Sequence, residues 1–134
     1  MKKEYEIDGN EFSTLQGFFD HISKVLVPGL VWGKNLDAFN EILSGGYGTP
    51  HGGFVLRWKH SNQSREELGY AETVRYLERK LKTCDPANRD KVRLELELAR
   101  LGKGPTVFEI LRALIEEHGP GGSAASDGVE LMLL

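Results

Sequence analysis

The stretch Phe54–Trp58, which reads FVLRW, is short, rich in β-branched and aromatic residues, and preceded by glycine. It is therefore predicted to be a β-strand. Alternation over Lys2–Ile7 predicts another strand, at the edge of a sheet, and the nearly continuous apolar run Val129–Leu134 predicts a third, of the kind that is buried in a parallel sheet. Helical patterns separate the three strands, so their order predicts an α/β layer with right-handed crossovers.

Three helices around this strand are predicted from their capping residues and apolar spacing. Ser13 is the expected N-cap of the first helix, and Asn35 is that of the second, which Gly45 ends. Thr106 is the expected N-cap of the third, which runs to about His118. The apolar residues of each helix recur every three or four positions, so each helix is expected to bury one face.

The segment 59–104 differs from the rest of the chain in charge. It carries 11 lysines and arginines against 8 acidic residues, whereas the remainder carries 6 against 12. Within it, a capping-box pattern that starts at Ser64 predicts one helix, and the pair Asp85-Pro86 predicts the start of another. We expect a helical hairpin at about 69–104, inserted into an otherwise compact α/β domain.

The second helix of this hairpin is predicted against a competing signal. The run Val92–Leu98 has the period of two that is typical of a strand. However, Leu94, Leu98 and Leu101 also fit one face of a helix, and the chain has a helix start before the run and Gly102 after it. We therefore predict a helix whose apolar face carries these three leucines.

Length and composition describe one globular domain, residues 1–134, in which 40% of the residues are hydrophobic and can form a core. No window approaches the roughly 18 consecutive apolar residues of a membrane helix, and the start of the chain lacks the apolar stretch of a signal peptide. We expect a cytoplasmic protein that binds no membrane.

Cys84 is the only cysteine, so no internal disulfide can form. The balance of 17 basic and 20 acidic residues argues against direct binding of nucleic acid.

The histidines and glycine-rich loops do not indicate a metal or cofactor site. The four histidines lack the i, i+4 spacing and the cysteine partners of a zinc site. The glycine clusters are not followed by Lys-Ser or Lys-Thr, as they are in phosphate-binding loops. His51, in the loop 45–53, has the chemistry of an acid/base group, but a loop histidine is more often simply solvated. We expect no cofactor and no metal.

The most informative polar pattern lies on the second helix. Asp37 and Glu41 are i, i+4 neighbours, Ser44 continues the row, and Asn40 borders it. The two carboxylates are expected on the face opposite the apolar residues, where their mutual repulsion costs only about 0.2–0.5 kcal/mol. An acidic row of this kind is a solvated surface in most proteins, so a binding function needs further support.

That support comes from the segment Val31–Gly45, VWGKNLDAFNEILSG, which resembles the signature of the barstar family, the intracellular inhibitors of barnase-like ribonucleases. The central pattern is aromatic-Gly-x-Asn-Leu-Asp-Ala. The resemblance extends over about 1–68 and 105–134, and it leaves 69–104 as an insertion. It implies a three-stranded parallel sheet flanked by helices. It also implies that the second helix and the loop before it occupy a nuclease active site, since carboxylates can replace RNA phosphate among arginine, lysine and histidine donors.

The resemblance implies a partner-binding role for individual positions. Asp37 matches the first helix carboxylate of the family, and Glu41 stands where the type member has its dominant aspartate. Val31 and Asn40 replace a tyrosine and a tryptophan of that interface, whereas Trp32 keeps the aromatic position of the motif. No residue is assigned to the family's further acidic contact on the last helix. The predicted contact set is Asp37, Glu41, Asn35, Gly33, Asn40, Trp32, Val31, Ser44 and Gly45.

Three functions remain to be compared. The first is a non-catalytic inhibitor of a basic ribonuclease or a related toxin. The second is an immunity or interaction module for a different protein partner, with the basic hairpin as a new surface. The third is a small phosphoester hydrolase that uses Asp37, Glu41 and His51, which would need a cleft and a carboxyl group of raised pKa. We favour the first, because an exposed helix face excludes water poorly.

Overall fold

The computed structural model describes residues 2–134, and this part of the chain contains a three-stranded parallel sheet. The central strand β2 (Phe54–Lys59) lies between β1 (Lys3–Asp8) and β3 (Glu130–Leu133). In the register of β1 and β2, Ile7 lies opposite Trp58. The three predicted strands and their parallel arrangement are confirmed.

Helices fill both connections between the strands. Two lie between β1 and β2, and four lie between β2 and β3, so the α/β prediction is confirmed. Three short 3-10 helices, Gly9–Glu11, Pro86–Asn88 and Ala125–Asp127, complete the described elements. The α-helices are α1 (Leu15–Val25), α2 (Leu36–Leu43), α3 (Ser61–Glu67), α4 (Tyr70–Thr83), α5 (Arg89–Arg100) and α6 (Val107–Glu117).

The main core is centred on β2. Phe54, Leu56 and Trp58 alternate along this strand, and all three are fully buried. The ring of Trp58 packs against Phe18 of α1 and Phe108 of α6, with ring centroids 5.5 and 5.1 Å apart. Burial of a large apolar side chain stabilises a fold by about 1.5–3 kcal/mol, so this one strand joins helices from both halves of the chain.

The strand β3 departs from its prediction as a buried strand. It pairs with β2 on one side only and forms an edge of the sheet. Its side chains alternate between exposed and half-buried positions, and Met132 is 42% exposed. A continuous apolar run therefore does not require burial on both faces, because the position of a strand in the sheet is set by the other elements.

Two of the three predicted N-caps are confirmed. The Asn35 side chain accepts a hydrogen bond from the Ala38 N–H at 2.8 Å, and Thr106 forms a complete capping box with Glu109. The prediction of Ser13 is wrong by one residue. Thr14 is the N-cap of α1, because its hydroxyl lies where it accepts from the Gly17 N–H, at 3.0 Å.

Ser64 does not begin a helix, as its capping-box pattern predicted. It lies inside α3, where its hydroxyl is fully buried and accepts a hydrogen bond from Trp58 Nε1 at 3.1 Å. The longer helix α4 begins only after Gly69. Ser64 therefore satisfies the polar atom of the central tryptophan, which a local pattern cannot reveal.

The helices α4 and α5 form the predicted hairpin, with a small hydrophobic cluster of their own. The prediction of helix for α5 is confirmed, but the predicted apolar face is wrong. Val92, Leu96 and Ala99 are buried against α4, whereas the predicted face points to solvent. The leucines of that exposed face are Leu94 and Leu98, at 58% and 37% exposure, and Leu101, the C-cap residue that follows α5, is 70% exposed.

Adjacent side chains of α4 fix the hairpin to the rest of the fold. The buried Glu72 carboxylate accepts a hydrogen bond from the Leu15 N–H at 2.8 Å, and the Thr73 hydroxyl accepts from the Val107 N–H at 2.9 Å. Leu15 and Val107 are the first residues of α1 and α6, whose N–H groups have no partner inside their own helices. The helix α4 thus satisfies donors at two other helix ends.

Candidate functional site

The helix α2 has one buried and one exposed face. Phe39, Ile42 and Leu43 are at most 1% exposed and belong to the main core. Asp37 and Glu41 lie on the exposed side, as the sequence predicted, because residues four apart share a face of a helix. Within residues 2–134, neither carboxylate lies within 4 Å of a lysine, arginine or histidine nitrogen.

The electrostatics of this pair differ between its members. Asp37 lies in the first turn of α2, where the helix dipole favours a negative charge by about 0.3–1 kcal/mol. Glu41 lies in the last turn, where the same dipole disfavours it, and it also repels Asp37. Interactions inside the described chain therefore do not account for a carboxylate at position 41, and both charges are available to another molecule.

The loop before α2 divides the predicted contacts between surface and core. Val31 is 97% exposed, whereas Trp32 is only 7% exposed. The Trp32 ring lies edge-on to Phe19 at 5.7 Å, and its Nε1–H donates to the Ser23 hydroxyl. The indole therefore anchors the loop from inside, and Val31 is the side chain that the loop presents at this point.

The two residues between this anchor and the N-cap of α2 have restricted geometry. At Gly33, which is exposed, an added Cβ would lie 2.9 Å from the Asn35 side-chain nitrogen. Lys34 has a left-handed backbone with φ of 49°, and its ammonium group pairs with Asp20 at 2.9 Å. The chain thus turns sharply into α2 and is held to α1 at that turn.

A hydrogen-bonded network, which the sequence did not reveal, joins α2 to His118 at the C-cap of α6. His118 is 3% exposed, and its Nε2 lies 2.6 Å from the Asn40 side-chain oxygen, while its Nδ1 lies 2.6 Å from the Asp127 carboxylate. The Ser44 hydroxyl donates to the same carboxylate at 3.1 Å. Asn40 and Ser44 are therefore engaged within the chain. The hydrogen bond from His118, followed by that from Ser44, keeps the pKa of Asp127 below its ordinary value despite partial burial.

Gly45 ends α2 as predicted. It is buried and has φ of 90°, a left-handed conformation that glycine adopts without strain, and an added Cβ would lie 3.0 Å from His51 Nδ1. His51, the acid/base candidate of the hydrolase hypothesis, is itself exposed in the following loop.

The helix α2 forms a ridge between two clefts that differ in charge. The charged residues of the first cleft, between α2 and α6, are Asp37, Glu109 and Glu117. The sequence did not place the last two beside Asp37, because α6 lies about 70 positions further along the chain. The second cleft, between α2, α1 and α4, is lined by Asp37 and three basic residues, Lys34, Arg79 and Lys80.

No helix in the described part of the chain is long and apolar enough to span a bilayer. Across positions 2–134, no group of three or more histidine, cysteine, aspartate or glutamate side chains is arranged to hold a metal ion.

Comparison with known proteins identifies the family. The model of the Barstar family, described as barnase inhibitor, matches residues 2–99. A search of curated proteins found no match. The family match includes the whole of α2 and the loop before it, and it continues through α4 into α5, so it also spans most of the segment that we interpret as an insertion. Because the match covers well over half of the sequence, the chain belongs to the Barstar family.

Proposed function

We propose that this protein inhibits a barnase-like ribonuclease by placing α2 in the active site of the enzyme. The observation that carries the proposal is the exposed pair Asp37 and Glu41, which has no basic partner in residues 2–134. A ribonuclease presents arginine, lysine and histidine to the phosphates of RNA, and two carboxylates one helical turn apart can accept hydrogen bonds from the same donors. The protein itself catalyses no reaction.

The other members of the predicted contact set support this pair in different ways. Asn35 and Gly45 fix the two ends of α2. Asn40 and Ser44 join the helix to His118 and Asp127 by hydrogen bonds. Gly33 and the exposed Val31 form the contact surface of the loop, and the buried Trp32 supports that loop from the core. The interface is therefore preorganised, which lowers the entropic cost of binding.

The cleft between α2 and α6 extends the acidic surface. Glu109 and Glu117 line this cleft together with Asp37, and none of its lining residues in the described part of the chain is basic. Three carboxylates along one groove create a negative potential that attracts a basic protein and accelerates its association. We assign this groove to the same interface as α2.

The partner in this proposal is a basic ribonuclease or a related toxin, and direct binding of RNA or of a membrane has no role in it. An inhibitor of this kind protects the RNA of the cell that contains it. We therefore propose that the protein acts in the cytoplasm, where that RNA is located.

The proposal is tested with the double variant Asp37→Lys and Glu41→Lys. We expect it to inhibit RNA cleavage by barnase far less than the wild type does, because truncating one member of a desolvated charge pair costs about 2–5 kcal/mol, or roughly 30-fold to 5,000-fold in affinity. This range rests partly on the barnase–barstar complex, the type system of the family, and is carried over to this chain. Inhibition is measured with a fluorogenic RNA substrate.

A matched control changes two exposed carboxylates of α5, Asp90→Lys and Glu97→Lys, and so has the same net charge as the test variant. It should retain inhibition. Urea denaturation should show that the test variant is within about 1 kcal/mol of the wild type, since both side chains are exposed. Equal inhibition by the two double variants would exclude α2 as the inhibitory element.

A further inference from the structure

The hairpin helix α4 forms one wall of a cleft whose other walls are α1 and the N-terminal end of α2. The floor of this cleft is apolar, with Leu15 and Phe19 from α1, Leu36 from α2 and Tyr76 from α4. Its rim carries three basic side chains, Lys34, Arg79 and Lys80. One wall, through Asn35, Leu36 and Asp37, is the beginning of the helix to which we assign ribonuclease binding. The cleft is therefore continuous with that surface.

Lys34 is paired with Asp20, but the two cations that α4 contributes to the rim are only partly neutralised within the described residues. Arg79 lies 3.8 Å from the Glu72 carboxylate, but Glu72 also pairs with Arg75, at 2.8 Å, and accepts from the Leu15 N–H. One carboxylate thus faces two guanidinium groups. Lys80 lies 5.8 Å from the Tyr76 ring centroid, and no carboxylate of residues 2–134 is within 4 Å of its ammonium group. The α4 side of the cleft therefore has a surplus of positive charge.

This wall is held in place before any partner arrives. The Glu72 side chain is 2% exposed and joins α4 to the first residue of α1, which itself lines the cleft. Tyr76 packs against both the main core and the cluster of the hairpin. A cleft fixed in this way binds without the cost of ordering its own backbone.

We propose that this cleft is a second contact surface, which receives an acidic segment of the protein partner that binds α2. The inference rests on the proposed function, and it adds the chemistry of a second region of the partner. An apolar floor beneath a cationic rim suits a short segment in which aspartate or glutamate alternates with an apolar side chain. Because α2 has an acidic groove on one side and this basic cleft on the other, a partner with both charges is fixed in one orientation.

The same geometry favours a protein over RNA as the occupant. Asp37 lines both clefts, and Glu109 and Glu117 lie across the ridge. A polyanion that entered the basic cleft would approach these three carboxylates, and the repulsion would oppose its binding. A folded protein can instead present an acidic segment to one side of α2 and basic side chains to the other.

The test compares Lys80→Glu with Lys82→Glu. The two lysines lie on the same helix and the substitutions change the net charge equally, but only Lys80 lines the cleft, and Lys82 is exposed elsewhere. We expect Lys80→Glu to bind barnase about threefold to tenfold more weakly than Lys82→Glu does at low salt, and Lys80→Arg to bind as the wild type does. Equal affinities of the two glutamate variants would overturn the inference and leave the function of α2 intact.

A second measurement does not depend on the ribonuclease. The probe is an acetylated peptide of alternating glutamate and phenylalanine, titrated into the 15N-labelled full chain and followed by amide NMR. Shifts confined to residues 34–37 and 76–83, and lost in Lys80→Glu but not in Lys82→Glu, would support the cleft even if barnase is not inhibited. Shifts spread over the hairpin, or displacement of the peptide by a uridine hexanucleotide, would overturn the inference.

Discussion

The helices α2 and α5 are both short and amphipathic, yet they are held in different ways. The helix α2 packs into the main core through Phe39 and Ile42, which are fully buried, and Asn35 caps its first turn. The buried side chains of α5 pack against α4 in a small separate cluster, and its N-cap, Asn88, makes no side-chain capping bond within the described residues. The element that we assign to partner binding is therefore the more rigidly held of the two.

Their outward faces differ as well. The outer face of α2 carries two carboxylates without basic partners in residues 2–134, whereas the exposed leucines of α5 and its C-cap lie among charged side chains of both signs. A carboxylate loses favourable hydration when a partner covers it, unless the partner supplies a basic group in return. The outer face of α2 therefore selects a basic partner, whereas exposed leucines do not select a partner by its charge. The comparison predicts that core truncations in α2 affect stability and surface substitutions in α2 affect binding, whereas substitutions on the exposed face of α5 affect neither strongly.

The largest change in stability is expected from a pair of core and surface truncations. We expect Phe39→Ala to lower the free energy of unfolding by about 3–5 kcal/mol, because it leaves a cavity among buried aromatic rings. Leu94→Ala, on the exposed face of α5, should change it by less than about 0.5 kcal/mol. Urea denaturation measures both, and similar losses would show that α5 is packed more tightly than its contacts indicate.

A smaller effect is expected from the two asparagine N-caps. Asn35→Ala should destabilise the protein by about 1 kcal/mol, since it removes the acceptor for the Ala38 N–H. Asn88→Ala is the matched control, because the same residue type at the same position of α5 makes no such bond, and its loss should be close to zero. Thermal unfolding of the two variants measures both losses of stability, and equal losses would contradict the difference in capping between Asn35 and Asn88.

The smallest expected effect is a change in acid stability at Asp127, which holds α2 through His118. The pKa of Asp127 in the folded state lies below its ordinary value of 3.8, so the unfolded chain takes up the proton first. The stabilising contribution is complete above pH 3.8 and is lost as the pH falls through the folded pKa.

We therefore expect Asp127→Asn to lower the free energy of unfolding by less than about 1 kcal/mol at pH 7 and to flatten its decline below about pH 4. Asp8 and Asp20, whose pKa values are also lowered, should account for a remaining decline in the variant. Denaturation midpoints across this pH range test the prediction, and parallel curves for the variant and the wild type would contradict it.

Local signals explain why most of the fold could be predicted. Some helix-end interactions join residues that are only a few positions apart, so the local sequence predicts them. Examples are the N-caps Asn35 and Thr106 and the left-handed Gly45. The exposed positions of Asp37 and Glu41 follow in the same way, because the other side of α2 has a single apolar stripe.

The features that were missed depend on distant partners. The sequence of α5 contains two apolar stripes, and only its packing against α4 selects the one through Leu96. Likewise, the edge position of β3 follows from the order of the strands in the sheet. Asn40 lies 78 residues from His118, so their hydrogen bond has no local signature.

The paired helix-end contacts of α4 also limit how this protein can be shortened. Glu72 serves a helix that precedes it in the chain, and Thr73 serves one that follows it. Excision of residues 69–104 would leave the N–H groups of Leu15 and Val107 without acceptors, both at once and in buried surroundings. A minimal version of the protein therefore requires new acceptors designed at those two positions, such as a local carboxylate or hydroxyl, before any residue of the hairpin is removed.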